Sequence, residues 1–155
     1  MENKIKIQIK SVFGRVLFEY EKVDNTIKDT LVEAIKNKAY LGCADLRGAY
    51  LRGAYLGDAD LGDADLDGAD LRGADLGDDI KIKDKGILLV GNIGSRYSYT
   101  TIYDTDKGIY VKCGCFFGTI DKFVEKVKET HKGNEHERDY LAMVEFAKIK
   151  FGYAG

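Results

Sequence analysis

The sequence predicts a mainly β chain with capping helices, an α+β fold centred on a square coil of about two turns. Three observations carry this. The middle of the chain recurs with a period of five, runs in both flanks alternate apolar with polar residues, and three segments show the apolar spacing of helices. With 155 residues, the chain has room for one compact unit, or for one core with small caps at its ends. Hydrophobic residues at 45% and charged residues at 32% are ordinary for a soluble globular protein, and no apolar run approaches the length of a membrane span.

The repeat comes first because it sets everything else. Alanine stands at positions 39, 44, 49, 54, 59, 64, 69 and 74, and leucine follows two positions later each time, from Leu41 to Leu76. Between them stand Tyr40, Asp45, Tyr50, Tyr55, Asp60, Asp65, Asp70 and Asp75. A period of five fits neither 3.6 nor 2, so an ordinary helix or strand does not explain it. A chain that turns a corner after every unit does. Four units then close one square coil with Ala and Leu inside. Disordered low complexity is rejected, because eight units keep perfect register at both inward positions.

On these residues Ala39–Asp78 resembles the pentapeptide-repeat family, over 40 of the 155 positions. The resemblance implies a right-handed quadrilateral β-helix of about two coils. Tyr40, Tyr50 and Tyr55 depart from the family pattern, which usually has Asp or Asn there. Stacked residues are expected four repeats apart, placing Tyr40 near Asp60, Tyr50 near Asp70, Tyr55 near Asp75 and Arg47 over Asp67. At a strand spacing of about 4.8 Å, two coils are only about 10 Å tall. That is too little to bury a stable core alone, so the flanks must be structural.

Three regions follow: an N-terminal hairpin-helix cap over 1–38, the β-helix over 39–79, and C-terminal strands plus a two-helix cap over 80–155. Ile5, Ile7 and Ile9 alternate with polar residues, 11–14 is a turn, and Val16, Phe18 and Tyr20 alternate again, which predicts a hairpin. Asp24 or Asn25 is expected to cap a helix with an apolar face of Ile27, Leu31, Ala34 and Ile35. Beyond Asp79, Ile87–Val90, Tyr97–Tyr103 and Ile109–Lys112 read as strands that could continue the coil. Thr119 caps a helix bearing Ile120, Phe123, Val124 and Val127, and after the break at 132–134 a last helix presents Tyr140, Leu141, Val144, Ala147 and Phe151. The flanks also resemble those of short pentapeptide-repeat proteins of phages and prophages, through the hairpin and helix, Ile93-Gly94-Ser95-Arg96, and Cys113-Gly114-Cys115-Phe116. No biochemical activity comes with that resemblance.

The net charge of -2 hides a segregation: residues 39–79 carry ten Asp against three Arg, while both flanks are net basic. A basic nucleic-acid binder is thereby disfavoured, and no direct nucleic-acid binding is expected. The start Met1-Glu2-Asn3-Lys4 lacks a signal-peptide pattern and three cysteines fit a reducing compartment, so the expected location is cytoplasmic, with no membrane association. Catalysis has little to work with: His131 and His136 are the only histidines, no nucleophile motif is present, and no enzyme is expected. Cys113, Cys115, His131 and His136 could gather around zinc, but the single-residue cysteine spacer is unusual, and packed cysteines without metal or cofactor are preferred.

Two surfaces remain. The ten tyrosines and absent tryptophan draw attention to Tyr40, Tyr50 and Tyr55, which either pack under the caps or form a partner surface with Asp60, Asp65, Asp70 and Asp75. This gives the leading expectation, a non-enzymatic interaction module that binds a protein partner and forms a homodimer. The phage-like flanks extend it to an inhibitor of a host or defence protein. Some members of the family imitate duplex DNA to inhibit gyrase, but a height of about 10 Å spans only about three base pairs, so mimicry by a monomer is not expected. The alternative is a small-molecule binder. There the glycine loop 91–94 with Ser95 and Arg96 would meet a phosphate of a nucleotide while Tyr97 and Tyr99 stack its base. A third reading is a structural part of a larger assembly.

Overall fold

A computed structural model describes residues 2–95 and 98–153, which divide into two compact bodies, Met1–Lys81 and Ile82–Gly155. The N-terminal hairpin and helix share the first body with the repeats.

In that body β1 (Lys4–Lys10) and β2 (Val16–Val23) pair antiparallel, with a bulge between Ile9 and Lys10. Most of β1 stays exposed, and Ile9 is its buried anchor. Helix α1 (Ile27–Lys36) begins later than a cap at Asp24 or Asn25 would allow. Thr26 is the cap instead. Its hydroxyl accepts from the Asp29 N–H at 3.1 Å while the Asp29 carboxylate accepts from the Thr26 N–H at 3.1 Å, a reciprocal capping box. Asn25 is committed elsewhere: it is buried, and its amide donates to the Tyr20 carbonyl and the Thr30 hydroxyl.

The repeats form a β-helix-like stack. After each leucine the chain turns, and from Leu41 to Leu71 the Leu carbonyl accepts from the N–H of the next repeat's alanine, at 3.0–3.1 Å. The second residue after each leucine has positive φ: Cys43, Gly48, Gly53, Asp58, Asp63, Gly68, Gly73 and Asp78. A turn with its third residue left-handed has the sign pattern of type II, which explains the restriction to Gly and Asp at all positions but one. Cys43 is the exception.

Successive coils are joined by parallel backbone bonds. Asp45 bridges Asp65, Tyr50 bridges Asp70 and Tyr55 bridges Asp75, each pair separated by four repeats. The bonds run in both directions, as in Leu51 N–H to Asp70 C=O at 2.9 Å and Asp70 N–H to Ala49 C=O at 2.9 Å. Corner types stack as well. Gly-Asp corners at 57–58 lie over 77–78, and Arg/Asp-Gly corners at 47–48 lie over 67–68. Inside, Leu41, Leu46, Leu51, Leu56, Leu66 and Leu71 are buried with most of the alanines, whereas Leu61 and Leu76 of the second coil are half-buried.

Both ends of this ladder are tied down. Lys10–Val12 pair antiparallel with the first coil, through Asp45 N–H to Lys10 C=O at 2.8 Å and Val12 N–H to Cys43 C=O at 2.9 Å. At the far end the chain doubles back, so the Leu76 N–H meets the Ile80 carbonyl at 2.8 Å. Capping of this kind removes unpaired edges that would otherwise recruit another strand.

The second body is an antiparallel meander of β3 (Ile82–Ile93), β4 (Ser98–Thr105), β5 (Gly108–Cys113) and β6 (Phe116–Thr119), in that order. These strands do not prolong the parallel ladder. Each pairs antiparallel with its predecessor, because the period of five gives way to a period of two after Asp79. Helices α2 (Ile120–His131) and α3 (Glu135–Phe151) bury their apolar faces against one side of this sheet. Ile102, Ile109 and Val111 there meet Phe123, Val127, Tyr140 and Val144, and Met143 takes a buried place that the sequence pattern assigned to Leu141.

The left-handed corners give a direct test. Replacing Cys43 by Gly relieves a side chain held at φ 60° and should raise stability by about 0.5–1 kcal/mol. Gly53→Ala, where nothing lies within 4 Å of an added Cβ, should lower it by about 1 kcal/mol through the backbone alone. Urea unfolding of both variants checks the opposite signs.

Candidate functional site

The structure places the three repeat tyrosines outside. Tyr40, Tyr50 and Tyr55 are 69%, 60% and 50% exposed, so the caps of their own body do not cover them. Their rings are nonetheless not free-standing. A Cβ added at Gly42 would collide with the hydroxyl end of Tyr40, and one at Gly57 with that of Tyr55. Each ring therefore folds back over the glycine two positions on. Tyr50 has Arg52 at that position instead.

The aspartates at the same repeat position do different work. Each carboxylate accepts from the backbone N–H two positions on: Asp45 from Arg47, Asp60 from Gly62, Asp65 from Asp67, Asp70 from Arg72 and Asp75 from Gly77, at 2.9–3.3 Å. This Asx turn holds the corner from outside while leucine holds it from inside. Asp60, Asp65, Asp70 and Asp75, expected as partner contacts, are thus also corner residues, with Asp60 the exposed one and the other three half-buried.

Arg47, expected over Asp67, finds its ion-pair partners at Asp45 and Asp65, and the pairing of Arg72 was not read from the sequence. Arg47 pairs with Asp45 through two bonds of 2.8 and 2.7 Å and reaches Asp65 at 3.7 Å, which relieves the stacking of two like charges. Arg72 holds Asp70 in the same way at 2.8 and 2.6 Å. Its guanidinium bonds keep the Asp70 carboxyl down at about 2, and those of Arg47 lower Asp45. The available signal was an Arg two positions after an Asp, the same spacing the Asx turn uses. By contrast, the stretches 39–43, 54–63 and 74–78 contain Tyr40, Tyr55, Asp60 and Asp75 and no basic residue. In sequence, arginine-bearing corners therefore alternate with stretches whose only charges are aspartates, at 54–63 and 74–78, and with the uncharged 39–43.

The glycine loop expected to hold phosphate has a packing explanation. Gly91 and Asn92 lie in β3, whose register shifts between Val90 and Ile93, and Gly94 opens the turn into β4. An added Cβ at Gly91 would lie 2.8 Å from the Tyr99 ring, and one at Gly94 would collide with that of Tyr140. Both glycines are therefore close approaches of aromatic rings. Ser95 is exposed and Tyr99 is 52% exposed, while Arg96 and Tyr97 lie outside the described residues. Further along β4, Tyr103 is buried, and burial pushes its hydroxyl up to about 12.

The cysteines and histidines are only partly brought together. The Thr100 hydroxyl donates to the Cys113 sulfur at 3.3 Å, and that thiol donates to the Tyr140 hydroxyl at 3.8 Å. His131 packs against both His136 and Tyr140, with ring centroids 5.6 Å apart in each case, while Cys115 is exposed. Among the described residues no group of three or more His, Cys, Asp or Glu side chains could hold a metal ion. The buried carboxylate of Asp104 is engaged by the Tyr153 hydroxyl at 3.0 Å and faces Lys83 at 3.5 Å, which fastens the segment after α3 to β4.

With this geometry in view, the comparison with known families is specific. Residues 39–78 match the model of pentapeptide repeats in eight copies, so about a quarter of the chain consists of such repeats. No curated protein and no solved structure matches it significantly. No helix among the described residues is long and apolar enough to cross a membrane.

Two expectations test these assignments. In Arg72→Ala the Asp70 midpoint, followed by carboxyl NMR, should rise from about 2 toward the ordinary value of about 3.9. Because the folded value is the depressed one, Asp70 adds stability above about pH 3.9, and this is lost as the pH falls through about 2. Gly94→Ala combines positive φ with a collision against Tyr140 and should cost about 3 kcal/mol in thermal unfolding. A change below about 0.5 kcal/mol would remove the packing explanation of that loop.

Proposed function

We propose that the chain is a non-enzymatic protein-binding module whose pentapeptide repeats, closed as a right-handed quadrilateral β-helix of two coils, present tyrosine and carboxylate to a partner. The observation that carries this is the exposure of Tyr40, Tyr50 and Tyr55 on a stack whose backbone is fixed at every repeat. An aromatic ring already ordered over its own turn loses little entropy on binding and offers a hydroxyl as well as area. The acidic stretch 54–63, which holds Tyr55 together with Asp58, Asp60 and Asp63, favours a partner surface bearing Lys or Arg, which would be steered by charge. Inhibition of a host or defence protein by a phage-encoded chain is the biological setting that the flanks suggest.

The nucleotide-binding reading has no specific support, since aromatic packing accounts for Gly91 and Gly94. Tyr40→Ala, Tyr50→Ala and Tyr55→Ala combined remove exposed rings only, so the fold should persist by circular dichroism. Retention of a basic protein from lysate on the immobilised chain should fall at least about tenfold in this variant, as expected for hot-spot aromatics. Undiminished retention by the triple variant would refute the tyrosine surface.

A further inference from the structure

Helix α3 is apolar on two sides. One side, with Tyr140, Met143, Val144 and Ala147, is buried in its own body. The other carries Ala142, Phe146 and Ile149 at spacings of four and three, and Phe146 and Ile149 are 54% and 66% exposed. Spacings of four and three in alternation are those of a coiled-coil seam. Two large apolar residues on an outer helix face, left open by the described elements of their own body, make a strip that a partner helix would fit.

The flanking charges select the occupant. Glu145 immediately precedes Phe146 and Lys150 immediately follows Ile149, which places them at the two positions that border such a seam. They stand five positions apart, the offset at which these places meet across a parallel pair of helices. Two copies of α3 running parallel therefore bring Glu145 of each against Lys150 of the other, and two-fold symmetry makes this contact twice. An antiparallel pair would set Glu145 against Glu145. Within its own helix Glu145 lies 3.7 Å from Lys148, an exposed contact weak enough to be exchanged.

We propose that the outer face of α3 is a self-association surface through which two copies of this chain pair with their helices parallel. This uses none of the repeat residues, so it stands or falls separately from the repeat-surface reading. The test is sedimentation equilibrium of the whole chain from about 1 to about 100 µM. The wild type should pass from monomer to dimer within that range. Phe146→Glu should weaken association at least about tenfold, and Glu145→Lys several-fold. Adding Lys150→Glu to Glu145→Lys should restore the wild-type value. The changed residues lie on the outer face, so circular dichroism should be unaltered. A wild type that stays monomeric throughout, as it would if another protein occupied the strip, overturns the proposal. So does dimerisation insensitive to Phe146→Glu, and failure of the double charge exchange to restore pairing overturns the parallel arrangement.

Discussion

Backbone hydrogen bonds between positions four repeats apart govern the N-terminal body. Those bonds form only if the chain turns through the same corner after every leucine, and the corner forms only if its second residue can take positive φ. A single coil has no partner for its outward N–H and C=O groups. Two coils satisfy each other along their shared edge, part of the first coil's outer edge meets Lys10–Val12, and the end of the second meets the returning chain near Ile80. The hairpin and the turn at 77–80 are thus conditions for the stack rather than additions to it.

The surface chemistry follows from the same constraint. Position two of each repeat points outward beside the corner, and the corner presents a backbone N–H there. Aspartate meets it with a carboxylate, whereas Tyr40 and Tyr55 lay a ring over it and require glycine two positions on. A module built from identical corners can therefore exchange a structural carboxylate for an exposed ring without changing its backbone. Arg47 and Arg72 then offset the charge that stacked aspartates accumulate on part of the coil, while 54–63 and 74–78 hold aspartates and no basic residue.

What was legible in the sequence was whatever has a fixed period. Ala and Leu at every fifth position gave the corners and the interior, and alternation in 4–10 and 16–20 gave the hairpin. The coil length could also have been read from the corners themselves. The Gly-Asp and Arg/Asp-Gly types recur in an order that repeats only after every fourth corner. Less legible were features that rest on one local competition. The cap of α1 falls to Thr26 because Asn25 has a buried bonding partner in Thr30, which lies a turn further on. The glycines at 91 and 94 resembled a ligand loop because Tyr140, the ring that one of them accommodates, lies far along the chain in α3. Aspartate as a corner residue was hidden by its resemblance to an ordinary solvated face.

The most direct test of the ladder is residue-resolved amide hydrogen exchange on the whole chain. The amides of Leu46, Leu51, Leu56, Asp65, Asp70 and Asp75 all donate between coils. The account predicts that they exchange slowly and with closely similar protection, as one cooperative set. Exchange of these amides at rates of an unstructured chain, while those of α2 and α3 stay protected, would contradict it.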